Sequence, residues 1–227
     1  MTKNKSVIVV GGGAAGLMSA IHSAWSGAEV IIFEKNPRPA RKVLITGKGR
    51  CNVTNNCSIE TVMNNTPTNP KFLYSALNRF SPEDTMSFFE MLGVELKTER
   101  GNRVFPVSDK AKDIADALIS CAESAGCSIY EKNIKSLIIE NNTIKGVKDS
   151  NGVEYFADSV ILACGGASYP KTGSDGYGYV LARQAGHTVT KIKPSLVPLE
   201  SIESYCCDMM GLSLRNIKID LLDTKTE

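Results

Sequence analysis

Histidine is scarce in this 227-residue chain, with one at 22 and one at 187. Neither stands beside a cysteine pair of the kind that builds a zinc cage, because the seven cysteines (51, 57, 121, 127, 164, 206, 207) form no C-x-x-C. An odd count without such spacing reads as reduced, mostly structural thiols in a cytoplasmic protein, with no metal site. Charge of one sign is also lacking. A net charge of +2 with scattered basic residues argues against a nucleic-acid partner. Repeats and low-complexity segments are absent. The uncharged run from Ser6 to Ala28 is long enough to suggest a membrane span. Its four early glycines, followed by Ser19, His22, Ser23 and Ser26, make a poor lipid-facing helix, and the charged strand at Glu29 fits no signal peptide. The expectation is a chain with no membrane partner, built as one large α/β domain or one and a half.

What the chain does have begins at "VIVVGGGAAGLMSA", residues 7–20. Val7 to Val10 reads as a buried parallel strand. From Ala14, the residues Leu17, Met18, Ile21, Ala24 and Trp25 recur on one helical face, and Gly27 can end the helix. "EVIIF", residues 29–33, reads as a second buried strand, which completes a βαβ unit. Gly11, Gly13 and Gly16 fit G-x-G-x-x-G between strand and helix. The first glycine permits the turn, the second admits a pyrophosphate, and the third lets helix and strand pack closely. Glu34 ends the second strand 18 residues beyond Gly16. A carboxylate there can accept from both ribose hydroxyls and repels a 2′-phosphate. The pattern predicts an ADP moiety, which NAD and FAD share.

Further along, residues 37–70 are rich in turn formers and read as a long functional loop. Ser81-Pro82-Glu83 opens a helix closed by Gly93, and a second helix runs from about Asp109, capped by Ser108, to Gly126. A strand at Cys127–Tyr130 precedes a meander of Ser136–Glu140, Thr143–Lys148 and Val153–Ala157. Its turns are Asn141-Asn142 and Asn151-Gly152, the latter of type I′. "SVILAC", 159–164, is a late buried strand running into Gly165-Gly166, and a helix spans Gly176 to Ala185. After Pro194 short β segments such as "SLRNIKIDLL" are expected. A meander ahead of a late strand, with a Gly-rich basic loop after the second strand, is the layout of two-dinucleotide flavoproteins and favours FAD over NAD.

At that loop a family resemblance appears. "RKVLITGKGRCNVTN" at 41–55, "RVFPVSDKA" at 103–111 and "GGASYPKTGSDGYGY" at 165–179 resemble the bacterial aminoacetone-oxidase or BaiN-type NAD(P)/FAD-dependent oxidoreductases, across essentially the whole chain. The resemblance implies an α/β, Rossmann-like FAD-binding domain over 1–193, with a parallel sheet, an antiparallel β meander and a helical segment at about 70–126. The start of an inserted β-rich domain would follow over 194–227. Because such proteins run on past this length, it implies an N-terminal portion. It also implies that Gly11, Gly13, Ala14, Ala15 and Gly16 line the pyrophosphate, with Glu34 and Lys35 at the adenosine ribose. Arg41, Lys42, Gly47, Gly49, Arg50, Cys51 and Asn52 would pass the flavin, Ile134 would meet the adenine, and Cys164, Gly165 and Gly166 would approach from the late strand. FAD would exchange hydride through N5 between a small-molecule substrate and NAD(P)H or oxygen.

Three readings stay open beside this one: a nicotinamide dehydrogenase, a non-catalytic ADP-binding module, and a disulfide reductase using Cys51 and Cys57. Arg50 either faces the flavin N1–C2=O edge, binds phosphate, or ties its loop down. Cys206-Cys207 reads as a packing feature. Tyr169, Lys171 and Asp175 are placed to face a substrate, and no acid–base constellation names a catalytic residue.

Overall fold

A computed structural model of the chain describes residues 5–194, 201–214, 217, 218 and 220. The chain divides into two compact units, Met1–Val189 and Thr190–Glu227. The first opens with β1 (Ser6–Val10), α1 (Ala14–Trp25) and β2 (Glu29–Glu34), the βαβ unit that the sequence predicts. The stretch read as a loop holds α2 (Arg41–Ile45), β3 (Thr54–Asn55) and α3 (Ile59–Asn64). After these come α4 (Tyr74–Arg79), α5 (Pro82–Met91), β4 (Leu96–Glu99), β5 (Arg103–Pro106) and α6 (Ala111–Ser124). Then follow β6 (Ser128–Glu131), β7 (Ile134–Glu140), β8 (Thr143–Asp149), β9 (Glu154–Phe156), β10 (Ser159–Leu162) and α7 (Tyr177–Gln184).

Four strands form a parallel sheet in the order β10-β1-β2-β6. Alternation along these strands divides the core in two. Val9 and Ile32 face α1 and α6, packing with Leu17, Ile21, Ala115 and Leu118. Their neighbours Ile8, Val10 and Phe33 face the other way, against Ile134, Val147 and Leu181 of the meander and α7. The meander β7-β8-β9 is antiparallel, and a third sheet, β3-β5-β4, braces the helical segment.

Local chemistry explains most element ends. Ser81 caps α5 through a reciprocal pair: its Oγ accepts from Asp84 N (3.1 Å), and Asp84 Oδ2 accepts from Ser81 N (2.8 Å). The Ser81 N–H bond and a second from Ser81 Oγ to Asp84 Oδ2 (2.7 Å) hold the Asp84 carboxyl below its ordinary range. The cap of α6 differs from expectation. Lys110 takes the N-cap place without a side-chain cap, while Asp109 turns left-handed (φ 58°) and Ser108 Oγ accepts from Lys110 N at 3.3 Å. The hairpin turns differ too. Asn141 and Asn142 both have positive φ (50° and 59°), whereas at 151–152 only Gly152 does. The carboxylate of Asp149 shapes that second turn by accepting from Asn151 N and Val153 N. Trp25, expected on the apolar stripe of α1, is half exposed beyond the sheet, against Phe88.

In the second unit, a single turn of helix, α8, spans Tyr205–Asp208. Of the expected β segment over 213–222, residues 213, 214, 217, 218 and 220 are described and lie in no strand, and the other five fall outside the described residues.

Truncating Leu118, which is 1% exposed between α6 and α1, tests this core. Leu118→Ala should lower stability by about 3 kcal/mol, while Ile139→Ala on the meander's outer face should stay within about 0.5 kcal/mol. Urea denaturation followed by circular dichroism reads both.

Candidate functional site

Strand β1 sends its chain to β2 on one side and pairs with β10 on the other, so the carboxyl edge of the sheet opens a crevice where the strand order reverses. A cavity of about 530 Å³ lies there. Its floor is the glycine turn. Gly11 has φ 108°, and a Cβ on it would sit 2.5 Å from Ala163 O. A Cβ on Gly16 would stand 1.8 Å from Gly11 O, so α1 can rest on β1 only if position 16 is bare. Position 13 is different. A Cβ there meets nothing within 4 Å, so the space beside this backbone is open. Helix α1 starts at Gly13 with no side-chain cap and no acid in its first turn. Its first N–H groups and the positive end of its dipole are therefore left for an anion.

Glu34 fixes the rim. It is 8% exposed, and its Oε2 accepts from Gly12 N at 2.7 Å. Oε1 accepts from Asn36 N (2.8 Å) and Asn36 Nδ2 (2.6 Å). A carboxylate has about four acceptor sites. Three are filled from within, which narrows the expected pair of ribose hydroxyl contacts to one free site.

Above Glu34 passes the segment 165–176. Asp175 Oδ2 pairs with Lys35 Nζ at 2.7 Å, and Ser168 O accepts from Lys42 Nζ at 2.8 Å. Lys35 holds the Asp175 carboxyl below its ordinary range. The two lysines thus fasten one wall of the cavity to the other. Cys164 lines the cavity as a neutral thiol. Burial pushes it up to about 11, and its Sγ–H donates to Val10 O at 3.4 Å.

Of the residues singled out in the sequence, Gly11, Gly13, Ala14, Ala15, Glu34, Lys35, Arg41, Lys42, Ile134, Cys164, Gly165 and Asp175 line this one cavity. Gly16 lies beneath its floor. Gly47, Gly49, Arg50, Cys51, Asn52 and Gly166 are not part of its lining, and their positions have physical reasons. Arg50 is drawn to Glu99 and to Asp109 (Nε to Oδ1, 2.7 Å), which ties its loop down. With its amide turned over, Asn52 donates from Nδ2 to Thr54 O (2.9 Å) and Val104 O (3.1 Å). Cys51 is buried, and burial pushes its thiol up. That is the wrong direction for a redox thiolate, and Cys51 and Cys57 are both free. Among the described residues no cluster could hold a metal ion, and no helix is long and apolar enough to cross a membrane.

The sequence reading missed Asn36, Lys132, Asn133, Ser174 and Tyr177, which also line the cavity. Asn36 carries a readable signal, two residues past the strand-end acid; the others reach the site through strand pairings roughly 100 to 150 residues apart.

An uncapped helix start, a glycine turn and a strand-end carboxylate on a β10-β1-β2-β6 sheet define a Rossmann-type dinucleotide-binding domain. The match of residues 5–226 to the HI0933-like protein Rossmann domain makes this chain a member of the HI0933-like family. It is 36% identical over 194 residues to the 3-dehydro-bile acid delta(4,6)-reductase of Clostridium scindens, covering 85% of this chain and 46% of that protein. It is 30% identical over 220 residues to the ribosomal RNA dihydrouridine synthase of Haemophilus influenzae, covering 94% of this chain and 54% of that protein. The chain thus spans about half the length of these relatives. Its fold is shared with the 3-ketosteroid-delta4-(5alpha)-dehydrogenase of Rhodococcus jostii RHA1, at TM-score 0.61 and 16% identity, covering 82% of this chain and 55% of that one.

Two predictions separate floor from site. Gly16→Ala should yield no soluble folded protein, whereas Gly13→Ala should melt like the wild type yet lose nucleotide binding; thermal melts with and without ADP read the difference. At pH 8 only ~0.1% of Cys164 should be thiolate, since pH lies about three units below its pKa and the thiolate is the reactive form. Its alkylation by iodoacetamide, followed by peptide mass spectrometry, should be slow at pH 8 and rise about tenfold per pH unit up to about 11.

Proposed function

We propose that this chain is the FAD-binding part of an oxidoreductase acting on a small molecule in the cytoplasm. One observation carries the reading: the open space beside Gly13, at an uncapped helix start, shares a cavity with the fixed carboxylate of Glu34. The residues fit an adenosine diphosphate group. Backbone N–H groups at Ala14 and Ala15 suit the pyrophosphate, the remaining acceptor site of Glu34 suits a ribose hydroxyl, and Ile134 offers an apolar wall to the base. Such groups bind and orient without reacting.

When bound, FAD supplies hydride exchange with the substrate and with NAD(P)H. The names of the two relatives supply a substrate class. A delta(4,6)-reductase and a dihydrouridine synthase both describe adding hydrogen across a carbon–carbon double bond. We therefore propose an alkene conjugated to a carbonyl. The chain's part in this is to hold the adenosine half still and keep water from the diphosphate, by way of the wall that Lys35 and Lys42 fasten.

The purified protein should be yellow, with flavin absorbance and FAD released on denaturation. Colourless protein that NAD stabilises against heat would contradict the proposal. Glu34→Gln should lower FAD affinity roughly tenfold, as expected for losing a charged hydrogen-bond acceptor, in a fluorescence titration.

A further inference from the structure

Four charged side chains and one ring gather around the loop that follows α2. Arg50 donates from Nε to Asp109 Oδ1 at 2.7 Å, and from Nη1 to Glu99 Oε2 at 3.2 Å, with Nη2 also on Glu99. Lys97 Nζ closes the group on Asp109 at 2.7 Å. The guanidinium lies 4.2 Å from the centre of the Phe105 ring. On the same ring, a Cβ at Gly47 would come within 3.2 Å of an edge carbon. The loop therefore wraps Phe105, with Arg50 above its face, and joins β4, β5 and the start of α6.

This loop is held in a conformation that its residues would not adopt unaided. Lys48 (φ 58°) and Cys51 (φ 60°) are left-handed although both carry side chains. Such strain persists only where surrounding contacts impose it, and it concentrates at functional sites. Here the contacts are the ion cluster and the ring. The directions of titration agree with this: Glu99 and Asp109 are held below their ordinary range by Arg50 and Lys97, and Arg50 above its own.

The strained loop reaches the cavity through two bonds. Cys51 N donates to Thr46 O at 3.0 Å, and Thr46 Oγ1 donates to Val43 O at 2.6 Å. Thr46 and Val43 are cavity wall. Val43 lies mid-helix, while Thr46, the residue the loop bonds directly, follows the last turn of α2, about 7 Å along the axis from Arg41 by the usual rise of 1.5 Å per residue. Arg41, at the near end, bonds Asn36. The wall that Arg50 supports is thus not the wall that meets the adenosine.

We propose that the Arg50–Glu99–Asp109 cluster holds the loop 46–51 and, through it, sets Thr46 as a rigid piece of wall for the flavin half of the cofactor, so that Arg50 is a positioning residue that does not touch it. The inference rests on the FAD reading above. It places the clamp's contribution in preorganisation, which raises affinity by removing the ordering that binding would otherwise require.

FAD and ADP titrated separately onto flavin-free protein test it, using the wild type, Arg50→Ala, Arg50→Lys and Glu99→Gln. Arg50→Ala should bind ADP as the wild type does while its FAD affinity falls about tenfold. Arg50→Lys should recover part of that loss. The preference for FAD over ADP should also shrink as salt screens the partly exposed cluster. Unchanged FAD affinity in both Arg50→Ala and Glu99→Gln overturns the clamp, and so does a parallel loss of ADP binding, which marks a general structural tie. If Arg50→Ala does not fold, Glu99→Gln carries the same test. Wild type that binds ADP but not FAD overturns both the clamp and the FAD reading, and wild type that binds neither removes the nucleotide site itself.

Discussion

The approach of α1 to β1 depends on one absent side chain. Position 16 lies so close to the carbonyl of Gly11 that a methyl group would occupy the oxygen's own place. Bareness there lets the helix start directly over the end of the strand, which aims its free N–H groups into the crevice. Glu34 then reaches across from the neighbouring strand and takes the Gly12 N–H. That bond locks the turn in the shape that Gly16 permits. Floor, rim and charge are thus coupled through a few atoms.

A second coupling runs over the top. Lys35 and Lys42 leave β2 and α2 to meet the segment after β10, at Asp175 and Ser168. Sequence reasoning placed both lysines at the cofactor, yet their heads are taken by protein partners. Their charge serves to fasten the two walls, and the anion site is left to main-chain groups. On the proposed reading, a cavity arranged this way would recognise a diphosphate by geometry more than by net charge, in keeping with a chain whose overall charge is small.

How much of this was legible beforehand follows from range in sequence. The βαβ unit, the glycine turn and Glu34 were readable because their signals lie within about thirty residues and each has a steric or electrostatic cause. The meander was readable from its alternation and its Asn turns. The sheet β3-β5-β4 was not, since strands of two to four residues carry too few positions to show a period. Helix α2 was hidden by flanking prolines and by a left-handed Ala40 at its start. Asp175 and Glu99 were missed as partners because Lys35 and Arg50 find them 140 and 49 residues away, where no local pattern reports contact. Arg50 itself was singled out, but its partners Glu99 and Asp109 became visible only in the fold.

The central claim is that a diphosphate sits on main-chain amides beside a carboxylate that tolerates a ribose hydroxyl. Calorimetric titration of the protein with ADP and with its 2′-phosphorylated analogue tests this most directly. ADP should bind and the analogue should not, because Glu34 repels the added phosphate. Equal binding of the two, or none of either, would contradict the account.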